Sequence, residues 1–199
     1  MNPPIWTEID FRLSVVRRWQ VMPTIRTQTV AEHQHNVCKL AERLATDVFG
    51  WDIDDPKLLA LLRIARDHDD LEAVIGDPPS YTKPYVDEAA MSEQFAALMR
   101  EPIYDDVNIP PDITFIVKAA DYIDAAIFLR VEISMGNKTV VPVLRDLERR
   151  FRDKCDDFYT EWGNSRWQMD ARNAYTAYAR VVDTMFNGNG QLSIEGFRF

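Results

Sequence analysis

Between residues 113 and 133 the chain reads ITFIVKAADYIDAAIFLRVEI, a strongly apolar stretch interrupted by Lys118, Asp121 and Asp124. Pro110 and Pro111 introduce it, and the pattern predicts a long helix beginning near Asp112. The pairs Ala119-Ala120 and Ala125-Ala126 leave little bulk around Asp121, so a second helix can approach closely and bury the carboxylate. An unpaired buried carboxylate is costly, and Asp121 therefore needs a cation beside it. Asp124, three residues on, could do the same job.

The partners for such a cation lie upstream. In ARDHDDLEAVIGD, Ala65 to Asp77, one histidine stands among several carboxylates, entered from the apolar run Leu58 to Ile64. At roughly 100° per residue, His68, Asp69 and Glu72 share one helical face and Asp70 swings to the other side. An acidic run taken alone reads as a solvated face, whereas the apolar lead-in carries this one into a core. A second histidine comes from the helix expected over about Val30 to Phe49, with Thr29 as N-cap and Glu32 three residues later. Val37, Leu40, Ala41, Leu44 and Val48 form its apolar stripe, and His33 lies on the upstream extension of that stripe. His35, two residues on, points roughly 200° away and leaves the site to His33.

The remaining chain reads as helices and connectors. Ile9, Leu13, Val16 and Trp19 recur at helical spacing over Glu8 to Gln20, with Arg12, Arg17 and Arg18 among them, and Pro23 ends the pattern. VMPTIRTQT, holding Arg26, connects to the second helix. Gly50 closes that helix, and Pro56 suits the first turn of the next. After Gly76, DPPSYTKPY reads as a loop that sets Tyr81 and Lys83 near the acidic helix, and Val86 to Met99 as an amphipathic packing helix. Gly136 interrupts the long apolar helix, Val141 to Tyr159 follows with a solvated face, and Asn173 to Phe186 gives the last helix. The expectation is an all-α chain.

With 199 residues, 46% of them hydrophobic, and no linker, one domain is expected. The formal charge of −9 argues against a nucleic-acid polymer or an anionic membrane as partner. Two cysteines, Cys38 and Cys155, form no CxxC pair and are expected as free thiols. No segment reaches transmembrane length and MNPPIWTEIDF lacks a secretory pattern, so a soluble, cytoplasmic protein is expected.

Two imidazoles and two carboxylates make a mixed N/O donor set suited to a divalent transition ion such as Co, Mn or Zn, with positions left for water and substrate. The order H…HD…D on helices resembles the HD-domain metal-dependent phosphohydrolases. Four local patterns are similar to their YfbR-like 5′-deoxynucleotidase branch and its phage relatives that hydrolyse dATP. They are Arg18-Trp19 with Arg26-Thr27, Val30, Glu32 and His33; His68-Asp69 with Glu72; Gly76-Asp77 with Pro79 and Lys83; and Val117-Lys118 with Ala120-Asp121.

The resemblance implies a single HD-domain helical bundle over residues 1–199, with a family-like core at about 8–135 and a helical extension at about 136–199. It implies His33, His68, Asp69 and Asp121 as ligands of one divalent ion, and Glu72 as the residue handling the proton of the attacking water. Arg18 would hold phosphate, with Lys83 and Arg26 as further phosphate candidates, and Trp19 would pack on the base or sugar. Asp77 would lie near the reacting phosphate and the sugar, accepting from a 3′-hydroxyl and disfavouring a 2′-hydroxyl. The implied activity is hydrolysis of the 5′ phosphate ester of a deoxynucleoside monophosphate. Alternatives are a dATP or dNTP triphosphohydrolase and a non-catalytic nucleotide-binding HD protein. A homodimer or higher homo-oligomer is also implied. Where the bacterial enzymes carry a Pro-Thr-Pro turn after Gly-Asp, this chain has Pro79-Ser80-Tyr81.

Overall fold

The apolar segment forms the helix around which the others gather. The computed structural model describes residues 8–79, 109–161 and 167–186. In chain order the helices are α1 (Glu8–Leu13), α2 (Val30–Arg43), α3 (Pro56–Asp67), α4 (Glu72–Ile75), α5 (Pro111–Ser134), α6 (Val141–Glu161) and α7 (Trp167–Met185). A π-helical turn, Leu44–Val48, continues α2, and a 3₁₀ turn, Lys138–Val140, leads into α6. There is no strand among the described residues; Arg17 and Thr29 form an isolated bridge. The expected helix at Val86 to Met99, with Tyr81 and Lys83, lies outside the described residues.

Helix α5 is buried on nearly every side and packs against α2, α3, α6 and α7. Its Phe115 stacks on Phe158 of α6 at 4.3 Å between ring centroids, and its Tyr122 stacks on Phe151 at 5.5 Å. Those rings and the small Ala119, Ala120 and Ala126 are contiguous with Val37, Ala41 and Leu44 of α2 and Leu58, Leu61 and Ala65 of α3. The alanines thus admit α2 and α3 close to the α5 carboxylates, as the sequence predicts. At the far end Arg130 of α5 donates to the Tyr178 hydroxyl at 2.8 Å and pairs with Glu148, tying α5, α6 and α7 together.

Several boundaries follow the sequence. Thr29 Oγ1 accepts from the Glu32 N–H, the Asp55 side chain caps α3 with Pro56 in its first turn, and Gly136 takes φ +101° just beyond α5. Three expectations are corrected. The first helix ends at Leu13, because residues 16–18 turn back and pair with 28–30: Arg18 N–H donates to Gln28 C=O at 2.9 Å and Val30 N–H to Val16 C=O at 3.0 Å. Arg18 and Trp19 therefore sit on a loop. The last helix starts at Trp167, six residues before the expected Asn173. Most consequentially, Ala65 to Asp77 is not one helix. Helix α3 stops at Asp67, and α4 begins at Glu72. Between them Asp70 N–H bonds Asp67 C=O and Glu72 N–H bonds Asp69 C=O, three-residue steps that tighten the chain into turns. Aspartates favour this because their side chains compete for backbone groups.

Candidate metal centre

Three elements bring the expected side chains together: α2 supplies His33, the turn between α3 and α4 supplies His68 and Asp69, and α5 supplies Asp121. His33 is fully buried, while His35 is exposed. The Nε2 atoms of His33 and His68 stand 3.3 Å apart. Asp69 Oδ2 lies 3.4 Å from His33 Nε2 and 3.3 Å from His68 Nε2, and Asp121 Oδ1 lies 3.4 Å from His33 Nε2. His33, His68 and Asp121 each offer a donor atom within 4.8 Å of the others.

The tautomers follow from the outer partners. His33 Nδ1 is 2.6 Å from Asp124 Oδ2, and His68 Nδ1 is 2.8 Å from the Ala65 carbonyl. Both partners only accept, so each Nδ1 donates, and each neutral ring turns its Nε2 lone pair to the common point. Two lone pairs and two carboxylates facing one point repel unless a cation lies among them. Donors held about 2.0–2.2 Å from one tetrahedral ion stand about 3.3–3.6 Å from each other, which the spacing here matches. The residues fit one divalent ion.

The electrostatics give the same answer. Burial and the Arg18 guanidinium oppose a proton on His33, but bonding to Asp121, Asp124 and Asp69 outweighs both and lifts the imidazole to about 10. Burial, with His33 adding to it, instead pushes His68 down against the pull of Asp69 and Asp121. Burial alone would raise the Asp121 carboxyl, yet Lys118, His33 and Arg18 hold it well below the usual carboxylate range. Positive charge is thus strongly favoured at His33 Nε2, where a proton and a divalent ion would compete.

Around this point the other expected residues divide. Glu72 is buried at the start of α4. Arg18 reaches Asp121 with Nη2 at 3.9 Å, while its Nε and Nη1 are buried with no hydrogen-bond partner among the described residues. Trp19 has a left-handed φ of +64°, stacks on Phe128 at 5.6 Å and donates its backbone N–H to Asp77 Oδ2 at 3.0 Å. Gly76, at φ +76°, ends α4 and delivers Asp77 to that bond. Arg18, Trp19, Met22, Thr27 and Gly76 border a hollow of about 550 Å³, within the usual range of small-molecule sites. Arg26 is turned away to Glu32 at 3.6 Å and over the Phe128 ring. Lys118 pairs with Asp121 at 2.5 Å.

Two residues take parts the sequence reading did not give them. Asp124, weighed there as an alternative to Asp121, accepts from His33 Nδ1, Gln28 Nε2 and Asn36 Nδ2, at 2.6, 2.8 and 2.9 Å. It orients the histidine. Asp70, set aside as pointing elsewhere, accepts from Gln34 Nε2 at 2.9 Å and fastens the His68-Asp69 turn to α2. A polar residue on the buried face of α2 one position after His33 was the available signal for the second of these.

Residues 7–98 match the family model described as 5′-deoxynucleotidase YfbR-like. A 5′-deoxynucleotidase of Photorhabdus laumondii is 29% identical over 162 residues, 72% of this chain and 81% of that protein. A 5′-deoxynucleotidase of Vibrio cholerae is also 29% identical over 162 residues, covering 72% and 82%. Among solved structures, the cyanophage S-2L HD phosphohydrolase bound to dA and one catalytic Zn²⁺ ion superposes with a TM-score of 0.62 at 19% identity, covering 90% of this chain and 97% of that one. A conserved hypothetical protein from Pyrococcus furiosus gives 0.56 at 24% identity, covering 75% and 94%. In sequence this chain is thus similar to the YfbR-like 5′-deoxynucleotidases, and in fold to an HD phosphohydrolase.

Proposed function

We propose that this protein is a metal-dependent phosphoric ester hydrolase that removes the 5′ phosphate of a 2′-deoxynucleoside monophosphate. The observation that carries the reading is the convergence of two imidazole Nε2 atoms and two carboxylates beside a guanidinium whose buried Nε and Nη1 have no partner among the described residues. The Photorhabdus and Vibrio relatives bear the name of this activity.

His33, His68, Asp69 and Asp121 would hold one divalent ion, for which cobalt, manganese and zinc all suit the donors. Such an ion supplies Lewis-acid charge and a water of lowered pKa. Glu72 takes the proton of the attacking water as the water oxygen bonds to phosphorus, the bond from phosphorus to the 5′ oxygen breaks, and the departing 5′ oxygen takes a proton from solvent. Arg18 Nε and Nη1 donate to phosphate oxygens, gaining the charge-assisted hydrogen bonds they lack. Lys83 and Arg26 are the further phosphate contacts. Trp19 packs on the base or sugar, and Asp77, fixed beside it, reads the sugar hydroxyls and favours deoxyribose.

Incubation of the metal-loaded protein with dAMP and with dATP, followed by identification of the released phosphate species, tests the reading. Inorganic phosphate from dAMP is expected; triphosphate from dATP with dAMP untouched overturns it in favour of triphosphohydrolysis. No release from either, with tight nucleotide binding, overturns catalysis itself. Glu72→Gln should lower kcat by about 10²- to 10⁴-fold while bound metal, measured by elemental analysis, stays at the wild-type ratio.

A further inference from the structure

One buried side chain joins the nucleotide end of this site to its metal end. Gln28 immediately precedes the N-cap of α2 and is 2% exposed. Its backbone carbonyl accepts from Arg18, so the loop lies alongside it. Its amide then works in two directions: Oε1 accepts from the Trp19 indole Nε1–H at 2.9 Å, and Nε2 donates to Asp124 Oδ2 at 2.8 Å. The same Asp124 oxygen accepts from His33 Nδ1. The amide has only one consistent orientation, because an indole N–H only donates and a carboxylate only accepts.

Trp19 is held three times over: by this indole bond, by stacking on Phe128 and by Asp77 on its backbone N–H. A bulky residue at φ +64° persists only where its surroundings over-determine it. Gln28 is the one restraint of the three that also touches the partner of a histidine donor. A side chain serving only to fill space there would leave both an indole N–H and a carboxylate lone pair buried.

We propose that Gln28 is a positioning residue that couples the seat of the Trp19 ring to the set of the His33 imidazole through Asp124. The proposal rests on the metal-dependent reading above. Charge drawn from His33 by an ion strengthens its Nδ1–H bond to Asp124 and weakens what that oxygen accepts from Gln28. The change passes along the polarised chain to the Trp19 indole.

Indole-¹⁵N-labelled tryptophan gives one amide-type resonance for each of the five tryptophans, with Trp19 assigned by Trp19→Phe. Zinc, a diamagnetic probe, is titrated into wild type, Gln28→Met and Gln28→Asn, the last too short to reach both partners at once. The expected result is a zinc-induced shift of the Trp19 resonance in wild type that both variants lose, with the other four resonances in place as evidence of an intact fold. Calorimetric zinc affinity should fall about 10- to 100-fold in the variants. A Trp19 resonance that ignores saturating zinc in wild type, or a shift of equal size in a folded variant, overturns the coupling while leaving the metal reading standing. A wild-type protein that takes up no zinc by calorimetry sinks the metal reading and the coupling with it.

Discussion

Asp121 and Asp124 lie one helical turn apart on α5, and their different neighbours give them different work. Asp121 faces both the imidazole Nε2 and two cations, whereas Asp124 is occupied by three hydrogen-bond donors. Asp124→Asn should therefore act through the histidine: an amide that donates to Nδ1 leaves the proton on Nε2, the atom turned to the site. Zinc affinity by calorimetry is expected to fall about 10- to 100-fold. The sequence showed both carboxylates as anomalies in an apolar helix and chose between the histidines by the buried stripe. The resemblance pointed to Asp121 as the ligand, but the hydrogen bond of Asp124 to His33 lay beyond the sequence, because residues three apart share a face and only the approach of α2 separates them. Gln28 carried no signal, since a lone glutamine in a loop reads as solvent-facing.

Among the elements, caps and prolines were the legible features, and tertiary bonds decided the rest. The N-cap at Thr29 and the start of α5 at Pro111 follow from local chemistry. The end of α1 and the break after Asp67 depend on hydrogen bonds to distant segments or to short turns that leave the periodicity of the sequence intact. The C-terminal end of α5 adds a further device. Glu132, fully buried, accepts from the backbone N–H groups of Ile25 and Arg26 at 2.6 and 2.8 Å and from Asn137 Nδ2 at 2.9 Å, pinning the loop after Trp19. Burial would raise its carboxyl, but Asn137 and the two N–H groups outweigh it and hold it below the usual glutamate range. A depressed folded pKa contributes stability that is complete above the ordinary glutamate value and is lost as pH falls through the folded one. Glu132→Gln should cost about 1.5–3 kcal/mol near neutrality, and denaturant titrations at descending pH should show that gap closing in acid.

Over the whole molecule, the apolar core and the charged centre meet along a single helix. No helix of the described residues is long and apolar enough to cross a membrane, and Cys38 and Cys155 are free. Because the ion would bind folded protein only, metal at about a hundredfold above its Kd adds about 2.7 kcal/mol. For a chain of this size that amounts to about 5–10 °C in Tm. Chelator should remove that increment and added zinc restore it, as read by calorimetric melting; a melt indifferent to both would exclude the metal site.

The donors at positions 33, 68 and 121 belong to three elements separated by long stretches of chain. In the unfolded polypeptide only the adjacent His68 and Asp69 are near one another, too little to hold an ion against water. The centre therefore takes shape after α2 and α5 have docked, and a metal would enter as a late arrival that secures a finished scaffold rather than a seed that starts its folding.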